Sequence, residues 1–236
     1  MAEGDTDEFL DRVAHELKTP LTPLKAVAQL ARSRLRRARS GERDLDLEQL
    51  DVSLATIDRQ VDRMARLVTD VLEVSRIARG RFALQKTEFD LVEIVRGVVK
   101  RISEQPGDEE RHHIELEAPD ALRLTGDRER IEQVISHLVA NAVKFSPQGG
   151  TVRVHVEQRG AEASVTVTDE GIGISAEDIA RLGTRPFVRA ERAKGYAGIG
   201  AGLYLARVVA EGHGGRMEIT SEGDDKGTTA RLTLAL

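Results

Sequence analysis

The sequence predicts an antiparallel helical hairpin that dimerises into a four-helix bundle, followed by an α+β sandwich. Three observations carry this. Apolar residues from Leu47 to Val71 keep an unbroken spacing of three and four, period-two alternation sets in from His113, and the charge balance changes between the two stretches. Residues 1–86 hold 16 Lys+Arg against 15 Asp+Glu, whereas residues 87–236 hold 19 against 25, so the chain divides into 1–86 and 87–236.

In the first helix Leu10, Val13, Leu17, Leu24, Ala28, Ala31 and Leu35 form a loose apolar stripe, and Arg32, Arg34, Arg36, Arg37 and Arg39 read as a solvated face. The stretch Ser40-Gly41-Glu42-Arg43-Asp44 has the length of a turn between antiparallel helices. The second helix carries a heptad seam of Leu47, Leu50, Leu54, Ile57, Val61, Met64, Val68 and Val71, which Leu67 and Leu72 widen beyond what one hairpin covers. Phe82 to Phe89 reads as an extended connection. Leu91 to Ile102 is helical, His113–Ala118 a strand, and Asp127 to Phe145 a strongly amphipathic helix. Thr151–Glu157, Ala163–Thr168, Arg216–Thr220 and Thr228–Leu234 alternate as strands, with a helix over Leu203–Glu211.

Composition narrows the function. The chain has 236 residues, no cysteine, no tryptophan and 3% aromatic residues, which excludes disulfide frameworks, cysteine zinc sites and thiol nucleophiles. A net charge of −5 with so few aromatic residues argues against a nucleic-acid partner. No run of about 18 apolar residues occurs, and no charged-then-apolar leader opens the chain. The expectation is a cytoplasmic protein without membrane contact in this chain.

In Phe9-Leu10-Asp11-Arg12-Val13-Ala14-His15-Glu16-Leu17-Lys18-Thr19-Pro20-Leu21, the stripe puts His15 at the position furthest from the core. Pro20 and Pro23 lie inside the same helix, where each removes a backbone hydrogen bond and should bend the chain just after the histidine. Asn141 and Lys144 share one helix face. An amide oxygen there can bind Mg²⁺ and an ammonium can meet phosphate, although an ordinary polar face looks the same. Asp169 ends an alternating strand ahead of Gly171 and Gly173. Gly198, Gly200 and Gly202 run into the Leu203 helix, whose first N–H groups can cradle phosphates. No Gly-Lys-Ser/Thr follows, so this is not a Walker loop.

These strings resemble, in order, the boxes of sensor histidine kinases. His15-Glu16-Leu17-Lys18-Thr19-Pro20 is similar to the phosphoacceptor box and Asn141-Ala142-Val143-Lys144-Phe145 to the N box. Asp169-Glu170-Gly171-Ile172-Gly173 is similar to the G1 box and Arg185-Pro186-Phe187-Val188-Arg189 to the F box. Gly198-Ile199-Gly200-Ala201-Gly202-Leu203 is similar to the G2 box, and Gly227-Thr228-Thr229 to the last glycine box. The resemblance implies a homodimer whose sandwich domain binds ATP with Mg²⁺ and transfers the γ-phosphate to His15. Glu16 would be the general base, and an aspartate on a response regulator receiver domain the next acceptor. It further implies that Thr19 positions water for regulator dephosphorylation, that Asp169 meets the adenine amino group, and that Leu182–Ala197 forms a lid. Phe187 within that lid serves equally well as a hydrophobic anchor. One position departs from the family: His137 stands where a second N-box asparagine is usual, which makes His137 a second candidate metal ligand beside Asn141. The alternatives are a gyrase- or Hsp90-like ATPase, which normally carries a carboxylate at that place, and a non-catalytic ATP-binding dimer. His112, His113, His155 and His213 read as surface or turn residues.

Overall fold

The computed structural model describes residues 3–41, 46–104, 112–196 and 198–236, and side chains from Val13 onward, that of Lys194 excepted. Two compact units emerge. One holds the chain up to Glu73 together with Gly198 and Ile199; the other runs from Val74 to Tyr196 and from Gly200 to Leu236.

The first unit is helical. Helix α1, Glu3–Arg39, continues through Pro20 and Pro23, and α2 spans Leu47–Ala78. Most of the expected turn between them, residues 42–44, lies outside the described residues. Ala31 and Leu67 are buried, and Leu50, Ile57, Met64 and Val71 are half-buried. The alternate seam positions Leu47, Leu54, Val61 and Val68, seven residues apart, are 69%, 50%, 51% and 46% exposed. The arginine cluster is solvated as expected at 32, 36, 37 and 39 but not at 34. Arg34 is half-buried and donates to Gln49 O at 3.2 Å and Ser53 Oγ at 3.3 Å, pinning α1 to α2.

The second unit is a two-layer sandwich. Its main sheet contains β2 (His112–Glu117), β4 (Gly150–Arg159), β5 (Glu162–Asp169), β6 (Arg216–Thr220) and β7 (Thr228–Ala235), in the order β2-β4-β5-β7-β6. Only β2 and β4 run parallel. Helices α3 (Leu91–Ser103), α4 (Arg128–Lys144) and α6 (Gly202–Gly212) cover one face. The strand alternation explains this: Val152, Val154 and Val156 point inward from β4, facing register partners Val165 and Val167 of β5, with Leu232 and Leu234 beyond on β7. From the helices, Val95, Val98, Ile131, Ile135, Leu138 and Val209 complete the core. A short helix α5 (Ala176–Arg181) and a 3₁₀ turn (Glu191–Gly195) interrupt the loop between β5 and α6.

Part of the expected extended connection is a strand. Thr87–Asp90 forms β1 and pairs antiparallel with β3, Arg123–Gly126. Asp90 ends β1 and caps α3, accepting from Val92 N at 2.9 Å and Leu122 N at 3.0 Å. Asp127 caps α4 by accepting from Arg130 N at 3.1 Å, and its other oxygen accepts from Gln85 N at 2.9 Å.

His213 is not a surface residue. It is 5% exposed, accepts from Asp127 N at 2.8 Å and contacts Val209 O through Nδ1 at 2.7 Å. Gly126 makes room for it, since a Cβ there would sit 2.8 Å from the ring. Periodicity places this residue at the end of α6 but carries no sign of that space.

Candidate active site

The helical unit holds the phosphoacceptor string. His15 is exposed on α1, one residue from Glu16, which is 8% exposed. The Glu16 carboxylate lies 3.6 Å from the Arg63 guanidinium of α2 and, within this unit, accepts from Gly198 N at 3.0 Å. An exposed imidazole can act as a nucleophile, and the next residue in the chain carries a buried, ion-paired carboxylate. The Thr19 hydroxyl donates to His15 O at 2.9 Å, so its oxygen keeps acceptor capacity for water.

In the sandwich unit, the N and G1 boxes meet where α4 ends. Phe145 caps α4, and its carbonyl accepts from Ile172 N at 3.0 Å. Gly171 approaches that carbonyl so closely that a Cβ would lie 2.2 Å from the oxygen, which is why glycine is required. Asn141 and Lys144 occupy the last turns of α4, both half-buried. The Lys144 ammonium lies 4.0 Å from the Phe145 ring centroid, and Tyr196 meets that ring edge-on at 5.2 Å.

Asp169 closes β5 opposite Thr228 and divides its two oxygens. Oδ1 accepts from Gly171 N at 2.9 Å and Thr228 N at 3.1 Å, whereas Oδ2 has no hydrogen bond among the described residues. Burial pushes the carboxyl upward from its usual value, and the two backbone N–H groups pull against that shift. A partly accessible oxygen held in this way suits a ligand N–H donor. Thr228 thus contributes through its backbone, which its place in a glycine box does not reveal.

Helix α6 begins at Gly202 with no side-chain cap, since its N-cap is Ala201. Its first N–H groups are therefore available to an anion. The His137 ring packs against this start, its Nδ1 lying 3.4 Å from where a Gly202 Cβ would be. Leu203 follows, half-buried against the core, and its carbonyl lies 3.4 Å from a Cβ built on Gly183. Gly200, at φ 78°, accepts from Phe187 N at 3.0 Å, and Phe187 itself sits at φ 68°. The Arg189 guanidinium donates to Ala193 O and Tyr196 O and so ties residues 189–196 together. Ala197, the last residue expected in the lid, lies outside the described residues.

The glycine spacing does not reveal Ser221. Its hydroxyl accepts from Ile174 N at 3.1 Å and contacts Gly227 O at 2.6 Å, tying the loop after β6 to the loop after β5. Gly173, at φ 65°, fits there only because it has no Cβ, an atom that would lie 2.0 Å from Gly223 O.

Among the described residues no cluster of three or more His, Asp or Glu side chains could hold a metal. Mg²⁺ prefers oxygen ligands. Asn141 supplies one amide oxygen, so the donor set fits an ion completed by phosphate oxygens and water.

Comparison with known proteins agrees with this arrangement. Residues 5–80 match the His Kinase A (phospho-acceptor) domain. Residues 126–236 match the histidine kinase-, DNA gyrase B-, and HSP90-like ATPase domain. The alginate biosynthesis sensor protein KinB of Pseudomonas aeruginosa is 35% identical over 217 residues, 91% of this chain. The chain spans 34% of KinB's length. Acinetobacter baumannii histidine kinase AdeS superposes with a TM-score of 0.62 at 25% identity, over 94% of this chain and 97% of AdeS. The histidine kinase ThkA, solved in complex with response regulator protein TrrA, shares the fold at a TM-score of 0.61 and 23% identity, over 97% of this chain and 61% of ThkA. With the phosphoacceptor string and the ATPase boxes matched in order along one chain, the protein belongs to the sensor histidine kinase family.

Proposed function

We propose that this chain is the catalytic core of a sensor histidine kinase, with residues 1–86 as the dimerisation and phosphoacceptor domain and 87–236 as the ATP-binding domain. The observation that carries this is the exposed His15 beside the buried carboxylate of Glu16, on a chain that also holds the ATPase fold. A ring nitrogen of His15 attacks the γ-phosphorus of ATP, and the bond from that phosphorus to the bridging oxygen breaks to release ADP. The proton on the other ring nitrogen passes to Glu16 as charge develops on the imidazole. Asp169 Oδ2 receives the adenine amino group, the α6 start and Lys144 hold phosphates, and Asn141 is the protein ligand of Mg²⁺, with His137 as a second candidate. When bound, Mg²⁺ neutralises charge on the transferred phosphoryl group.

The N-phosphorylated imidazole is a labile phosphoramidate, suited to onward transfer to an aspartate of a response regulator receiver domain. ThkA, of the same fold, is known bound to a response regulator. The Thr19 hydroxyl, whose oxygen keeps acceptor capacity, would orient water for dephosphorylating the regulator. Leu47, Leu54, Val61 and Val68 are the face on which a second copy completes a four-helix bundle. Among the described residues no helix is long and apolar enough to cross a membrane, in keeping with a cytoplasmic core.

Incubation with Mg-ATP labelled at the γ-phosphate tests this reading. The expected result is acid-labile, alkali-stable label on the wild type and none on His15→Gln. Steady phosphate release without protein labelling would support a gyrase- or Hsp90-like ATPase instead, and ATP binding with neither would support a non-catalytic dimer.

A further inference from the structure

We propose that Arg192 is the latch of the nucleotide lid, clamping the 3₁₀ turn to the loop after β5 and so setting how long a bound nucleotide is retained. The inference rests on reading the sandwich pocket as a nucleotide site. The Arg192 guanidinium uses both arms of its fork. One nitrogen donates to Ile172 O at 2.7 Å and lies 3.7 Å from Asp224 Oδ1, and the other pairs with Asp225 Oδ1 at 2.9 Å. Ile172 belongs to the loop that carries Gly171 and Gly173, so the clamp reaches the wall of the pocket itself.

That wall is built to receive it. Asp225 N also donates to Ile172 O, at 2.8 Å, and Gly227 N donates to Gly171 O at 3.1 Å, fusing the two loops into one platform. Asp225 sits at φ 58°, a conformation uncommon for a residue with a side chain, and there its carboxylate meets the guanidinium. On the lid side, Arg189 folds residues 189–196 into a unit, and Glu191 N donates to Asp178 Oδ2 at 2.8 Å. Arg192 is thus the side chain that carries this prefolded lid to the platform.

The latch is reversible by construction. The Arg192 side chain is 41% exposed, and Asp224 and Asp225 are 60% and 72% exposed, so water and salt compete for the same charges. A clamp of this strength slows lid opening without locking it.

The test measures release of a fluorescent ATP analogue from the full chain by stopped flow, together with amide exchange of residues 189–196 in the nucleotide-free protein. Arg192→Met should speed release about three- to tenfold at low salt and accelerate lid exchange. Arg192→Lys, which keeps the charge but not the fork, should fall between Met and wild type. The gap between Met and wild type should narrow as salt approaches about 1 M, where the screening length is about 3 Å and the Asp224 and Asp225 pairs weaken. Equal release rates, unchanged lid exchange, or a gap that salt does not narrow would each overturn the latch. If the wild type fails to bind the analogue, the nucleotide reading falls, while the exchange measurement still reports on the clamp.

Discussion

Asp169 gives one carboxylate oxygen to two backbone N–H groups and leaves the other without a hydrogen bond among the described residues, so folding and the proposed nucleotide contact would make opposite demands on its charge. Burial raises its pKa in the folded chain, which means folding favours the protonated form. Its contribution is most stabilising below the unfolded value of about 4 and is lost as pH rises through the folded value. Asp169→Asn keeps an acceptor for Gly171 N and Thr228 N but turns the free oxygen into a donor. The expected outcome at neutral pH is an unchanged or higher Tm, read by calorimetry. Nucleotide affinity should fall about 30- to 100-fold, because two donors then face each other. A lowered Tm would show that the charge contributes more to the two backbone bonds than its burial costs. The sequence marks Asp169 as a site residue, since a carboxylate ending a strand before two glycines is readable. The division of labour between its oxygens depends on Thr228, 59 positions along the chain, and no local pattern announces that pairing.

At the scale of elements, caps and periodicity account for what the sequence discloses. The helices α3 and α4 begin where Asp90 and Asp127 stand, and β4 follows its alternation closely. The ribbon of β1 and β3 is hidden because four-residue strands are too short to show a period, and β1 has two exposed residues followed by two half-buried ones. Asp90 joins that ribbon to α3, and the Leu122 N–H, more than any other neighbour, holds its carboxyl below the usual carboxylate value. A lowered value means stability that is present above about pH 4 and lost as pH falls through the folded pKa. Asp90→Ala should therefore cost about 1–2 kcal/mol at pH 7, measured by urea unfolding, and less in acid; Asp90→Asn should cost less than Ala at pH 7. The same limit on local patterns hides Arg192 and Ser221, whose partners lie on loops brought together only by the sheet.

For the whole molecule, the split seam of α2 makes an oligomeric prediction. Leu50, Ile57, Met64 and Val71 are half-buried within one chain, and the alternate set remains open to a second copy. Leu54→Glu with Val61→Glu should convert a dimer to a monomer in sedimentation while leaving binding of the fluorescent ATP analogue unchanged, since neither residue belongs to the sandwich unit. A dimer that survives both charges would place the interface elsewhere. The heptad repeat reveals this seam, but which half a chain covers for itself depends on how α1 lies against it, and α1 is the weaker pattern. The sheet bears on association as well. Its outermost strands, β2 and β6, present His113, Glu115 and Glu117 on one side and Arg216 and Glu218 on the other, all exposed. Glu115 and Glu117 pair inward with Arg153 and His155 of β4, and Arg216 pairs with Glu162 of β5 and with Glu218 of its own strand. Charges along a sheet rim repel the strand-to-strand docking that starts aggregation. In a dimer formed through the α2 seam, which would hold two sandwich domains at high local concentration, such rims would guard against fusion into a continuous sheet.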